Sequence, residues 1–333
     1  MVARSKLAVA VALVGVLGAV LAWVLVREPD EVVRRISIAE PSQHWQREGF
    51  VEMVPPIRLP TATPGEDDVV VWLRIPEGGV ISTRPRSDDG AGLILSFPPG
   101  TVADRVESRG RGSRRGVIDV RGTRLGEGSE AGEEWMHTLR RDGGAQGGLF
   151  GYEWPRSSGE AHGEATRRLL AELAEIPPGS TMDEPARVAY LSRIESKNQC
   201  VVCHVHERSD NRREGELGVV DRGTDGNGFF TPHTVLLDEM PLERYGDIDP
   251  NLHDPWVEVR CPEGEVTLET RGRRLQATCP NDAVPRARFN LALALSHGDA
   301  RAKRICIARR YLYEHLDERG REHFAAAIDA CAG

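Results

Sequence analysis

The chain has 333 residues, 40% of them hydrophobic and 28% charged, with a formal net charge of -8. That is room for two or three domains and the composition of a mostly soluble, globular protein. Its 43 Lys+Arg residues are nearly all arginine (Lys6, Lys197 and Lys303 are the lysines), and acids are interspersed among them, with no basic stripe, helix-turn-helix or zinc-finger pattern, so nucleic acid is not an expected partner.

Arg4 and Lys6 precede an uncharged apolar run, Leu7–Val26. As a helix this run is about 30 Å long, the thickness of a bilayer core. A cleaved signal peptide has a shorter apolar stretch ending in a small-residue site. Val20 and Ala22 could form such a site, but the run continues beyond them through Trp23–Val26. The favoured expectation is an uncleaved single-pass anchor over residues 1–27, seated in the lipid bilayer. Cations on both sides (Arg4 and Lys6 before, Arg27, Arg34 and Arg35 after) leave its orientation open. Residues 28–49 are polar and read as a stalk.

Residues 50–155 read as a β-rich domain. Val69–Ile75, Gly79–Thr83, Gly92–Phe97 and Gly116–Gly122 have the composition of short strands, separated by turn clusters such as Pro76–Gly79 and Phe97–Gly100. Strands at this spacing without intervening helices indicate a small sandwich or barrel. Trp72, Trp135 and Trp154 read as core residues. His137 stands alone and reads as structural or exposed.

From Gly159 the pattern turns helical. Glu164–Ile176 has apolar residues at helical spacing. After Pro177–Ser180, Thr181 with Glu184 makes a capping box and Pro185 suits a first turn. That second helix would lead into Asn198–Asp210, where Cys200, Cys203 and His204 stand as C-x-x-C-H. This is the attachment pattern for c-type haem. Two thioether bonds to the haem vinyl groups need two sulfurs on one short segment, and the next residue can then offer its imidazole to the iron. Rival readings are a zinc site with His206, which needs a fourth ligand, a redox dithiol, which needs a βαβ setting, and a strained local disulfide.

The segment resembles the haem-binding stretch of c-type cytochromes. The resemblance covers the motif and about forty residues after it. It implies a covalent haem c with its iron, His204 as proximal ligand, and attachment on the outer face of the inner membrane. The N-terminus would then be cytoplasmic and the residues after 27 periplasmic. It also implies periplasmic or membrane redox partners and electron transfer rather than catalysis. A haem-based sensor or haem enzyme with an open distal side, and a non-haem envelope binding protein, are the alternatives.

His206 lies about 200° around a helix from His204 and would face away from the same iron. Met240, in Asp238–Glu243, resembles the Met-Pro loop that supplies the sixth ligand in many mono-haem cytochromes, and its thioether would raise the reduction potential. His233 and Met182 are the alternatives. Phe229 and Phe230 suit either a porphyrin face or a local core, and Asp225–Gly228 reads as a tight turn rather than a calcium loop. Residues 159–255 are thus expected to form a mainly α, cytochrome c-like haem domain.

Residues 256–333 read as a small α+β tail. A three-strand meander (Trp256–Cys261, Glu265–Thr270, Arg274–Cys279) precedes helices at Val284–Ser296, Ala300–Leu316 and Arg319–Ala332. Cys261, Cys279, Cys306 and Cys331 allow three connectivities. The spacing favours 261–279 and 306–331, the latter across an antiparallel helix pair, and oxidised cysteines fit the compartment that the motif implies. The expected whole is multi-domain: a transmembrane helix, a β-rich sandwich-like domain, a haem domain and a disulfide-containing tail.

Overall fold

The computed structural model describes residues 33–54, 56, 68–85, 92–109, 116–141, 147–174, 216–220, 223–224, 235–241, 255–271 and 274–332. The apolar run Leu7–Val26 lies outside them. Among the described residues no helix is long and apolar enough to cross a membrane.

The first half of the chain is β-rich. In chain order its strands are β1 (Arg34–Ile38), β2 (Val51–Met53), β3 (Asp68–Arg74), β4 (Ser82–Pro85), β5 (Gly92–Ser96), β6 (Val102–Arg109), β7 (Gly116–Leu125), β8 (Glu134–Arg141) and β9 (Leu149–Pro155). A short helix, α1 (His44–Arg47), separates β1 from β2, and α2 (Gly159–Ala174) follows β9. Seven strands form one antiparallel sheet in the order β1-β9-β8-β7-β6-β3-β2. From β2 to β9 it is an up-and-down run, interrupted by the excursion through β4 and β5, and β1 is added beside β9. The expected stalk is corrected here: residues 34–38 are an edge strand of the sheet, and Trp45 of α1 is buried in its core. Hydrophobic alternation explains this, since the side chains of Arg34–Ile38 are alternately half-buried and exposed.

Both faces of the large sheet are covered. Val70, Val106, Val120 and Leu139 are register partners across β3, β6, β7 and β8, and cross-strand partners share a face. They join Trp45, Phe50 and Leu149 in one core. On the opposite face Met136, Tyr152 and Trp154 pack with Ala161, Ala165 and Leu169 of α2. Leu169 is fully buried, which contributes about 2 kcal/mol. Trp135 and Trp154 are core residues as expected, and Trp72 packs against the first core partly buried.

The remaining strands are β10 (Glu216–Val220), β11 (Gly223–Thr224), β12 (Glu239–Pro241), β13 (Val257–Arg260), β14 (Thr267–Arg271), β15 (Arg274–Thr278) and β16 (Arg286–Phe289). The later helices are α3 (Leu291–Ser296), α4 (Ala300–His315), α5 (Glu318–His323) and α6 (Ala325–Asp329). A four-stranded sheet has the order β11-β10-β5-β4, a three-stranded sheet β12-β16-β13, and β14-β15 is a separate hairpin. The expected tail meander is corrected: β13 pairs with β16, whose other edge pairs with β12, and not with β14. The expected helix Val284–Ser296 is also corrected, because its first half is β16. Asn290 then caps α3 by accepting from Leu293 N, so the helix starts where a side chain can satisfy its first amides. Asp299 and Asp317 cap α4 and α5 in the same way.

The cysteines are paired Cys261–Cys279 and Cys306–Cys331, with Cα–Cα distances of 5.5 and 5.4 Å. The second bridge joins α4 to the end of the chain inside an apolar core with Ile305, Phe289 and Leu291.

The tail is packed onto the β-rich body. Met53, Leu73 and Ala103 of the large sheet, Ile81, Leu93 and Leu95 of the β4–β5 excursion, Val235–Leu237, and Ala308, Leu312 and Leu316 share a single core. Ile81 N donates to His315 O at 2.7 Å, and Asp317 N donates to Ile81 O at 3.0 Å.

Candidate functional site

Cys200, Cys203 and His204 lie outside the described residues, as do His206, His233, Met182, Phe229, Phe230 and Asp225–Gly228. What is described is the frame on either side of the motif. Before it, α2 ends at Ala174 after packing its apolar face on the large sheet. After it, β10 pairs with β5 in the register Glu216↔Ser96 to Val220↔Gly92. The described elements on either side of the cysteines, α2 and β10, thus both pack on the β-rich body.

Met240 is placed by its backbone. It lies in β12, where Met240 pairs with Ala287 of β16, between the pairs Glu239↔Arg288 and Pro241↔Arg286. The residues leading into it are held from the tail. Arg309 of α4 is fully buried. Its Nε donates to Val235 O at 2.6 Å, its Nη1 to Ala327 O at 2.9 Å, and its Nη2 to Asp238 Oδ1 at 2.6 Å. Phe289 N donates to Asp238 O at 2.8 Å. A buried guanidinium is costly to desolvate, but here its charge meets a carboxylate and its fork meets carbonyls outside any ladder. Those carbonyls need donors once buried. Glu239 is held by Arg260 and Arg286. Burial raises its carboxyl pKa, but the two guanidiniums outweigh that and hold it below the ordinary glutamate range.

A second polar assembly was not legible as a site in the sequence. Trp72, Asp104, Gly122, His137, Glu153 and Arg34 form one register row across six strands of the large sheet. His137 is buried. Its Nε2 lies 2.8 Å from Asp104 Oδ1, and Trp45 Nε1 donates to Asp104 Oδ2 at 2.8 Å. His137 and Asp104 sit two strands apart, with β7 between them. They meet because Gly122 has no side chain: a Cβ there would overlap both His137 Nε2 and Asp104 Oδ1. The next row carries Arg124 and Trp135. The guanidiniums of Arg34 and Arg124 lie 4.1 and 5.3 Å from the Trp135 ring centroid. Both pair with Glu130 and Glu153. Burial pushes the Glu130 carboxyl up, but hydrogen bonds from Arg124 and Arg34 prevail and hold it below its usual range.

Both oxygens of Asp104 are engaged by these two rings, so the trio joins α1 to the sheet. The opposite face has its own buried charges. Arg105 lies 3.7 Å from Glu107 and 3.6 Å from Asp119, and Arg121 and Arg140 also reach Asp119. A polar residue at every second strand position is the signal that could have marked these rows. In β8 it is masked because Glu134, His137 and Arg140 do not alternate cleanly.

Among the described residues no group of three or more His, Cys, Asp or Glu could hold a metal ion. No family model matches the chain, and neither a curated protein nor a solved structure matches it.

Proposed function

We propose that the protein is a membrane-anchored mono-haem c-type cytochrome that carries electrons outside the cytoplasm. The observation that carries this reading is Cys200-x-x-Cys203-His204. Its donor set, two thiols and an adjoining imidazole in five residues, has the chemistry that a covalent haem requires. Two disulfides in the tail support an oxidising compartment, and Leu7–Val26 has the length and composition of a bilayer anchor.

In this reading Cys200 and Cys203 hold the cofactor by thioethers, His204 is the proximal ligand and Met240 the sixth. When bound, the haem supplies a one-electron ferric/ferrous couple whose potential the protein sets through ligand type and burial. The partners are one-electron carriers of the periplasm or the inner membrane. The chain's own part is to hold iron ligands in place in both oxidation states, so that little reorganises when the electron moves.

The test is a haem-stained denaturing gel together with an intact mass, on full-length protein matured in a cell able to attach haem c. Wild type should keep the stain after denaturation and weigh one haem more than its amino acids. Cys200→Ser/Cys203→Ser should lose both. A wild-type mass equal to that of the polypeptide alone overturns the reading. A haem-bearing protein whose reduced form binds carbon monoxide at once is a sensor or enzyme with an open distal side, which overturns the electron-carrier part.

A further inference from the structure

We infer that the Cys261–Cys279 bridge is a redox latch: a dithiol reductant opens it and lets the hairpin β14–β15 pass from order to disorder, while the rest of the tail stays folded. The inference does not depend on the haem reading. It comes from where the bridge lies. Cys261 directly follows β13, and residues 279–285 lead from β15 into β16. β13 and β16 are paired as far as Arg260↔Arg286. The hairpin is thus carried on an excursion, residues 261–285, whose base the three-stranded sheet already closes. The bridge is a second closure placed just beyond the first, and the sheet does not need it.

The hairpin does need it. Among the described residues β14 and β15 pair only with each other, and none of the hairpin's described side chains belongs to an apolar core. Thr267, Leu268 and Glu269 are exposed. A two-stranded hairpin without a core is marginal in water, so a covalent tie at its base decides whether it is ordered. The turn after the bridge adds to the drive. Asn281 and Asp282 stand at φ 57° and 54°, a left-handed backbone that costs energy in residues with a Cβ, although least in Asn and Asp. Opening the bridge lets this turn relax.

The two bridges differ in access. Cys306 and Cys331 are both buried in an apolar core with Ile305, Phe289 and Leu291, and a reagent reaches them only when that core opens. Cys279 is half-buried between the exposed residues Thr278 and Pro280. Exposed disulfides are the labile ones. One thiolate of the dithiol attacks Cys279 Sγ, the Cys261–Cys279 bond breaks, and Cys261 leaves as a thiolate that takes up a proton. The second thiolate of the reagent then displaces Cys279 from the mixed disulfide, and Cys279 is protonated in turn. Two electrons have moved: the dithiol ends as a disulfide and both cysteines as thiols.

The experiment exposes the full-length protein to dithiothreitol, quenches with acid and alkylates. Peptide masses then report each bridge separately, so Cys200 and Cys203 do not enter the count. Cys261–Cys279 should open about tenfold faster than Cys306–Cys331 or more. With that bridge alone open, hydrogen exchange should show β14 and β15 without protection, and β13, β16 and α4 as in the oxidised protein. Oxidised glutathione should restore the hairpin. Cys261→Ser/Cys279→Ser should show the reduced pattern with no reductant present. The inference is overturned by a Cys306–Cys331 bridge that opens first or at the same rate. It is equally overturned by a hairpin that stays protected once its bridge is open, or by β13, β16 and α4 losing protection with it. A serine variant that does not fold overturns it too, because a latch leaves the tail intact.

Discussion

The β-rich body and the tail reach stability by different means. Residues 33–174 contain no cysteine. They are held by a seven-stranded sheet with cores on both faces and by polar rows threaded through it. The tail has sheets of three and two strands, and Thr267–Glu269 and Thr278 of the hairpin β14–β15 are exposed. Among its described residues it has two disulfides and one buried arginine instead. A small unit cannot remove enough apolar surface from water to offset its chain entropy. Covalent ties reduce that entropy in the unfolded chain, and attachment to a larger neighbour supplies the missing core.

The largest effect should come from Cys306→Ser/Cys331→Ser. The bridge closes a loop with a sequence separation of 25, worth about 3.5 kcal/mol in the chain-entropy treatment. Both sulfurs are buried, so the hydroxyls add a desolvation cost. Hydrogen exchange read segment by segment should show α4 and α6 losing protection while β6–β8 keep theirs. If the sheet amides lose protection equally, the two regions unfold as one cooperative unit and the contrast fails.

The converse test lies in the body. Asp104→Ala leaves Trp45 Nε1 and His137 Nε2 buried without their shared acceptor. At about 1–3 kcal/mol for each orphaned group, the loss should be about 3 kcal/mol, seen as a lower denaturant midpoint. The disulfides should make no difference to it: reduced and oxidised protein should lose the same amount on substitution.

These two sites also show what was legible in the sequence. Strands β3, β5 and β7 could be read because Val69–Ile75, Gly92–Phe97 and Gly116–Gly122 are short β-branched or apolar runs between turns. Helix α4 could be read as Ala300–Leu316, close to its observed bounds, and the cysteine pairs from their spacing about strand ends and a helix turn. Strands β8 and β9 gave no clean alternation, since both of their faces are buried and β8 carries Glu134, His137 and Arg140 inside. Strand β16 was hidden by the apolar run of α3 beside it. Its pairing with β12 and β13 is a long-range choice that no local pattern encodes. For the same reason the C-x-x-C-H motif is plain from five residues, whereas the role of Arg309 depends on carbonyls more than seventy positions away and leaves no mark on the local sequence.

Acid should weaken the tail next. Glu239, Asp299 and Asp317 all have carboxyl pKa values below their ordinary range. Burial opposes this at each, but it is outweighed by Arg260 and Arg286 at Glu239, by the amides of Ala302 and Arg301 at Asp299, and by Thr83 and the Gly320 amide at Asp317. A lowered folded pKa means that the unfolded chain binds more protons there. The stability is fully present above the unfolded value of about 4 and is lost as pH falls through the folded values. Between pH 6 and pH 3 the exchange protection of β12 and α4, relative to free amides at the same pH, should fall before that of β7 and β8. An equal fall in both would assign the acid response to the body, whose Glu130 is shifted the same way.

The smallest effect concerns the join itself. Arg304 of α4 reaches Glu52 of β2 at 3.0 Å, the side chains being 53% and 22% exposed. A pair this open to water is screened and contributes at most about 0.5 kcal/mol. The apolar core beneath it is another matter, since Leu312 is fully buried between the two regions. A double-mutant cycle of Glu52→Ala and Arg304→Ala should therefore return a coupling of about 0.5 kcal/mol or less. Leu312→Ala alone should lower the stability of body and tail together by about 3 kcal/mol. A coupling of several kcal/mol at the ion pair, with a mild Leu312→Ala, would mean that charge rather than buried surface joins the tail to the sheet. The tail would then detach at high salt, where an apolar join tightens.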